Sequence, residues 1–387
     1  MKEKRTGPAG IPDRKWTIAA LAVAALLFVL LRLWAAPPAE DPALPAGDYA
    51  EYDNGRIVQI LSDSTASDEA SDGAYRGEQS MLVEVTTGQY KGETLLVKNY
   101  VAPLYGVPLS EGDRCTMIIS TYADGSHRAT VYEYDRTMPV AIVLAAFFAV
   151  TILVGGKTGA KSLIGLLFTV LCVFFLLFPA LMKGAPTLPA TFLLCVYVAA
   201  VSFVLLGGIQ KKTLCAMAGS TMGMAFALCF ALLSQALLRV SGLRTADVEP
   251  LLQLRQTGTP IGLKGLLAAG VILSSLGAVM DVAMSISSAL SEVHAADPSL
   301  GRRALLRSGL NIGRDMVGTM TNTLILAFLG SGLVLILYIY SIAPDPHQLI
   351  SSAYVATEVV SGISSSIGVI LSVPVTAAVC AAAYAKE

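Results

Sequence analysis

Residues 261–290 read IGLKGLLAAGVILSSLGAVMDVAMSISSAL, an apolar run of the length that crosses a hydrocarbon core of about 30 Å, interrupted by Ser274, Ser275, Asp281, Ser285, Ser287 and Ser288. An ionisable side chain at that depth costs roughly 2.5–3.5 kcal/mol on insertion scales, so such a group is as a rule kept for function and turned toward a protein interior or a water-filled cavity. The next apolar run, 308–340, repeats the pattern with Asn311, Arg314, Asp315, Thr319 and Asn322. Together the two runs predict membrane helices with a polar centre between them.

Working outward, the composition agrees. The chain has 387 residues, 54% of them hydrophobic and 14% charged, with a mean hydropathy of +0.65, which is far from the profile of a soluble enzyme. Eight spans are expected, over 16–34, 137–154, 162–182, 190–209, 213–238, 261–290, 308–340 and 349–385. The first follows a basic leader with Lys2, Lys4, Arg5, Arg14 and Lys15, and Ala35 and Ala36 after it also suit a cleaved signal peptide. Its apolar run exceeds an ordinary signal core, which favours a retained anchor.

Charge fixes an expected orientation. With both termini cytoplasmic, the short inner segments carry thirteen cations, among them Lys157, Lys161, Lys211, Lys212, Arg302, Arg303, Arg307 and Lys386, against six on the outer side. That bias obeys the positive-inside rule for an even number of spans, although Arg239, Arg244 and Arg255 of the outer loop 239–260 oppose it.

Residues 37–136 are of a different kind. They hold 17 of the 28 acidic residues against 7 basic ones, a balance of −10 that leaves about +9 for the rest. Short β-rich runs at 56–61, 80–87, 94–100, 114–122 and 128–134, separated by Gly, Asp, Asn and Pro, predict a small antiparallel barrel of OB-like kind outside the cytoplasm. SDSTASDEASDGAYRG at 62–77 has no apolar period and reads as a flexible loop within that domain. The domain plan is therefore a leader and first span to residue 36, the β-rich domain at 37–136, and a seven-helix domain at 137–387. Five of the six cysteines lie in apolar spans and Cys115 stands alone outside, so the outer domain has no internal disulfide and a thiolate zinc site is not expected.

The chemistry sits on two stripes. Residues three or four apart share a helix face, which groups Ser274, Ala278, Asp281, Ser285 and Ser288 on one span and Asn311, Asp315, Thr319 and Asn322 on the next. At about 1.5 Å per residue, Asp281 lies roughly 13 Å and Asp315 roughly 10 Å from the inner ends of their runs, so the stripes are expected to meet at similar depth. Carboxylate, amide and hydroxyl oxygens suit hard cations, and a buried carboxyl relays protons. The plain structural reading is an internal ion pair of Arg314 with Asp281 or Asp315 that joins helices. The three glycines of SGLNIGRDMVG at 308–318 suggest a short or re-entrant helix before a full span from residue 316. In the last run Glu358, Ser361 and Ser365 share a face in a helix that also holds Gly362, Gly368 and Pro374, which makes Glu358 a candidate for the mouth of a pathway; the plain reading is an interfacial carboxylate with no role. Gly219 and Gly223 read as a helix contact.

Enzyme readings fail. GGKTGAKS at 155–162 does not have the order of a phosphate loop, and neither HExxH nor GxSxG occurs. Asp281 and Asp315 could supply an intramembrane aspartyl dyad, but Arg314 beside one of them opposes a shared proton.

GAVMDVAMSISSALSEV at 277–293 and SGLNIGRDMVGTMTNTLILAFLGSG at 308–332 resemble the YibE/F-like family of bacterial membrane proteins. The resemblance implies a multi-pass plasma-membrane protein and supplies no substrate; Asp281, Asn311, Arg314, Asp315, Thr319 and Asn322 fall within its motifs. The expected function is a secondary transporter or permease for a small polar solute or cation, with no cofactor and no nucleic-acid partner. Its pathway would run through Asp281, Ser285, Ser288, Asn311, Arg314, Asp315, Thr319, Asn322 and Glu358. The alternative is a membrane scaffold or sensor whose outer domain binds an envelope partner, and an oligomer fits both.

Overall fold

The computed structural model describes residues 14–35, 49–122, 126–241, 248–256, 258–342 and 345–385. Lys2, Lys4, Arg5, Arg244 and Lys386, which enter the expected charge bias, lie outside the described residues, as does 36–48 at the start of the expected outer domain. The chain divides into two compact units, Met1–Pro38 with Ile152–Glu387, and Ala39–Thr151.

The smaller unit is a barrel-like sheet. Its strands are β1 (Tyr49–Asp63), β2 (Ala66–Asp68), β3 (Ala74–Val85), β4 (Thr94–Val101), β5 (Arg114–Thr121) and β6 (His127–Tyr134). The five long strands pair in a ring, β1 with β3, β3 with β4, β4 with β6, β6 with β5 and β5 with β1; all pairs are antiparallel except β4 with β6. Alternation drives this, because Met81, Val83 and Val85 of β3 and Cys115, Met117 and Ile119 of β5 are buried while their neighbours face out. Inside, the Gln79 amide accepts from Asn99 Nδ2 and the Leu109 N–H, both at 2.9 Å, which fixes the segment before β5 to the core.

The acidic stretch expected to be a flexible loop is instead folded. β2 pairs with β3 around a turn in which Asp68 caps Ala70, accepts from Ser71 and bonds Arg76 Nε at 2.6 Å. Composition hid this because the turn is held by polar side-chain bonds and has no apolar period.

The helices of the chain are α1 (Arg14–Ala35), α2 (Thr137–Cys172), α3 (Phe178–Met182), α4 (Thr187–Gly207), α5 (Lys211–Leu238), α6 (Glu249–Gln256), α7 (Leu266–Ala296), α8 (Arg302–Ser331), α9 (Leu333–Ile342), α10 (Pro346–Ser351) and α11 (Ala353–Tyr384). Among the described residues six helices are long and apolar enough to cross a membrane, or seven when α8 and α9 count as one bent span, against the eight expected. The difference lies at Thr137–Met182, a single run of 46 residues in which a π-helical turn joins α2 to α3. Gly156, at φ +54°, breaks helical geometry inside it, a conformation that glycine adopts without a Cβ penalty.

A second expectation is corrected on α8. The helix continues unbroken through Gly309 and Gly313, and the break comes at Gly332, where α9 bends away by 63°. The first two glycines are contacts rather than hinges. A Cβ on Gly309 would stand 2.8 Å from Ala377 Cβ and 2.9 Å from Leu290 Cδ1, and one on Gly313 would overlap Val373.

α11 is the hub, with its broadest contacts to α5, α8 and α7. It bears small buried residues along its length, Gly362, Ser364, Ser365, Gly368, Ser372, Thr376 and Ala377. The reading of Gly219 and Gly223 as a contact holds: a Cβ on Gly219 would collide with Thr376, and one on Gly223 would lie 2.7 Å from Ser372 Cβ and from Val279 Cγ1.

Gly223→Leu should therefore lower the thermal midpoint of the detergent-solubilised protein, by an overpacking cost of about 1–3 kcal/mol or more. Gly277→Ala, where a Cβ meets nothing within 4 Å, should leave the midpoint unchanged or raise it slightly. In the barrel, burial pushes the Cys115 thiol up to about 12. Against an ordinary cysteine this cuts the thiolate fraction about a thousandfold, so Cys115 should resist maleimide at neutral pH and react only once the domain is unfolded.

Candidate functional site

One cavity of the helical unit, about 520 Å³, lies among Leu27, Leu31, Trp34, Leu177, Leu193 and Tyr197. Its lining is almost wholly hydrocarbon, so it suits an acyl chain and offers nothing to a polar solute. A second cavity, about 370 Å³, is mixed in character, with Val248, Leu266, Leu267 and Phe328 in its wall beside a group of polar side chains. It opens where the start of α7, the end of α8 and the start of α11 come together.

Each helix brings a different part. α7 contributes Gly270 and Ser274, α8 contributes Phe328 and Ser331, and α11 contributes Thr357, Glu358 and Ser361. Glu358 is half-buried, and among the described residues it forms no ion pair or hydrogen bond. It lies beside the break after α8, where a Cβ on Gly332 would stand 3.4 Å from Glu358 Cγ, an ordinary contact distance.

The hydroxyls around this carboxylate are already committed as donors. Ser331 Oγ donates to Phe328 O at 2.9 Å, Thr357 Oγ1 to Ala353 O at 2.8 Å, Ser361 Oγ to Thr357 O at 2.9 Å and Ser274 Oγ to Val271 O at 3.1 Å. A hydroxyl that donates to its own helix keeps its lone pairs free as acceptors. The polar part of the wall is thus one carboxylate with several acceptor oxygens, atoms of the kind that hard cations take. Ser274 and Ser365 Oγ lie 3.3 Å apart, so the polar line continues from α7 into the interior face of α11.

Asp281 lies seven residues beyond Ser274 on the same face of α7, followed by Ser285 and Ser288. Asp281 and Ser285 are exposed and Ser288 is half-buried, whereas the opposite face of α7 is buried through Ile272, Val279, Ile286 and Leu290. This open, polar side of α7 leads away from the Glu358 cavity.

The α8 stripe is elsewhere. Asn311, Arg314, Asp315, Thr319 and Asn322 are all exposed, while α8 packs through Leu305, Gly309, Gly313, Met316, Met320 and Leu324. At about 100° per residue, Asn311, Asp315 and Asn322 lie on the side of α8 turned away from the helices it packs on. The stripe therefore does not converge with Glu358. The internal ion pair is also absent: among the described residues the ion pairs are Arg76–Asp68, Lys98–Glu78 and Arg136–Glu133, all in the barrel unit. No cluster of three metal-ligating side chains occurs among the described residues.

Sequence reasoning found Glu358, Ser361 and Ser274 but missed Ser331, Thr357 and the supporting Gly332. The signal was the SGL at 331–333, a small polar break between two apolar runs opposite the one carboxylate of the last span.

A family model described as YibE/F-like protein matches residues 143–386. No curated protein and no solved structure matches the chain.

A cysteine placed in the cavity should react with a small polar thiol reagent, and one in the core should not. In a background lacking the native cysteines, Ser361→Cys should label in intact membranes. Ser366→Cys should stay unlabelled, since Ser366 is buried and bonded to Gly362 O. Equal labelling of the two would contradict the described cavity.

Proposed function

The chain belongs to the YibE/F-like family, and from that premise we propose that it is a secondary transporter or permease that moves a small polar solute or cation across the bacterial plasma membrane. The observation that carries this reading is the Glu358 cavity: an otherwise unpaired carboxylate among hydroxyl oxygens, in helices long and apolar enough to cross a membrane. An unpaired carboxylate in such helices is expensive to retain without a role. A cation offsets the charge, and Ser274, Ser331, Thr357 and Ser361 supply the remaining oxygen contacts.

The pathway we propose begins at Glu358, passes Ser274 and follows the open side of α7 past Asp281, Ser285 and Ser288. Asn311, Arg314, Asp315, Thr319 and Asn322 stand outside that route in a single chain. No covalent chemistry is required of any residue, and the protein acts as a carrier rather than an enzyme. We further propose eight crossings with both termini in the cytoplasm. This treats 137–182 as two segments meeting at Gly156, because 46 residues at about 1.5 Å each far exceed one crossing. The barrel, a ring of five strands with one parallel contact, we read as OB-like and outside the cytoplasm, where its acidic surface would concentrate cations near the membrane.

Flux into proteoliposomes tests the reading, with protons, sodium and divalent cations tried first. Glu358→Gln and Asp281→Asn should each lower flux about tenfold or more, equivalent to about 1.4 kcal/mol or more, while the thermal midpoint stays within a degree or two of the parent. The amides keep shape and remove charge, so loss of flux from a folded variant identifies the carboxylates with transport. Absence of flux for all these cations in the parent, or Glu358→Gln with unaltered flux, would favour the scaffold or sensor.

A further inference from the structure

We propose that the exposed face of α8 is the contact between two copies of this chain, paired in parallel about a two-fold axis along the membrane normal. Asn311, Asp315, Gly318, Asn322, Ile325 and Leu329 are spaced by four, three, four, three and four residues. That alternation lays them along one seam of a helix, the spacing by which two helices interdigitate. All six are exposed, on the side opposite Gly309, Gly313, Met320 and Leu324. Asp315 stands near the middle of this 30-residue helix, which with α9 makes one candidate bent span, and wherever the seam meets hydrocarbon, lipid can satisfy neither a carboxylate nor an amide.

The occupant follows from the charges. Arg314 and Asp315 differ by one position, hence by about 100° around the axis and about 1.5 Å along it, and they fall on opposite sides of the seam's midline. A two-fold axis carries the left side of one seam onto the right side of the other, so Arg314 of each copy meets Asp315 of its mate at almost one level. The patch supplies its own counter-charge, which is the property of an isologous contact. Asn311 and Asn322 agree, because each amide both donates and accepts and can pair with itself across the axis. A Cβ on Gly318 meets nothing within 4 Å, so the face is open at that level, and a glycine there lets a second helix approach closely. Among the described residues neither Arg314 nor Asp315 has an ion-pair partner of its own. The pairing is independent of whether the protein carries a solute.

Cysteine cross-linking of the full chain in native membranes tests it, in a background lacking the native cysteines. Ile325→Cys, which touches no charge, should give an oxidised dimer, and Leu324→Cys, on the packed face, should not. Arg314→Asp and Asp315→Arg, each added to Ile325→Cys, should lower the cross-linked fraction several-fold, and the two together should restore it. The proposal is overturned if Ile325→Cys and Leu329→Cys both stay monomeric under oxidation, if they cross-link to a different protein instead, or if the double reversal is no better than the single ones.

Discussion

The close approach of α5 and α11 is the contact on which the rest of the helical unit is built. In a bilayer the surrounding lipid is as apolar as leucine, so helices gain little by burying hydrocarbon and adhere through intimate packing and interhelical hydrogen bonds. Here the intimacy comes from glycine on both sides: Gly219 against Thr376, Gly223 against Ser372, and Gly368 against Ala227 at 2.7 Å from a Cβ that is not there. Several serines and threonines of α11 tolerate this depth by bonding their own backbone, as Ser372 does to Val369 O and Thr376 to Ser372 O, both at 2.7 Å. Helix α11 can therefore be buried on several sides at once, and α7 and α8 are placed by it.

From that hub the position of the cavity follows. Along its first half, α8 uses Gly309 and Gly313 to sit against Ala377 and Val373. Farther along the relation inverts, with the large Phe328 on α8 facing the small Gly362 on α11, where a Cβ would lie 3.6 Å from the ring side chain. Space opens beside Phe328, between Gly270 of α7 and Thr357 of α11. The break at Gly332 ends α8 at that level, beside the Glu358 side chain.

How much of this was legible in the sequence depended on which force set each feature. Long apolar runs announce membrane helices because hydrophobic length is a property of the chain alone, and the alternation of Met81, Val83 and Val85 announces a strand for the same reason. The Asp68 turn was misread because its order comes from five polar atoms meeting in space, which leaves no period to find. Gly309, Gly313 and Gly332 look alike in sequence, and two of them are contacts while the third is a break. Only the neighbour separates them, since Val373 and Ala377 press on the first two and a carboxylate side chain flanks the third. Spacing correctly grouped Asn311, Asp315 and Asn322 on one face, but it does not state whether a face turns inward or outward.

Two sets of polar groups at membrane depth thus require two different explanations. The oxygens around Glu358 are enclosed by three helices of one chain and form a concave site with one net negative charge, the arrangement that holds a small cation. The groups on α8 form a convex ridge carrying one charge of each sign, with no wall around it. A ridge has no wall to enclose a solute. Shape and charge balance together therefore set the two apart, although both look alike as stripes of polar residues in apolar sequence.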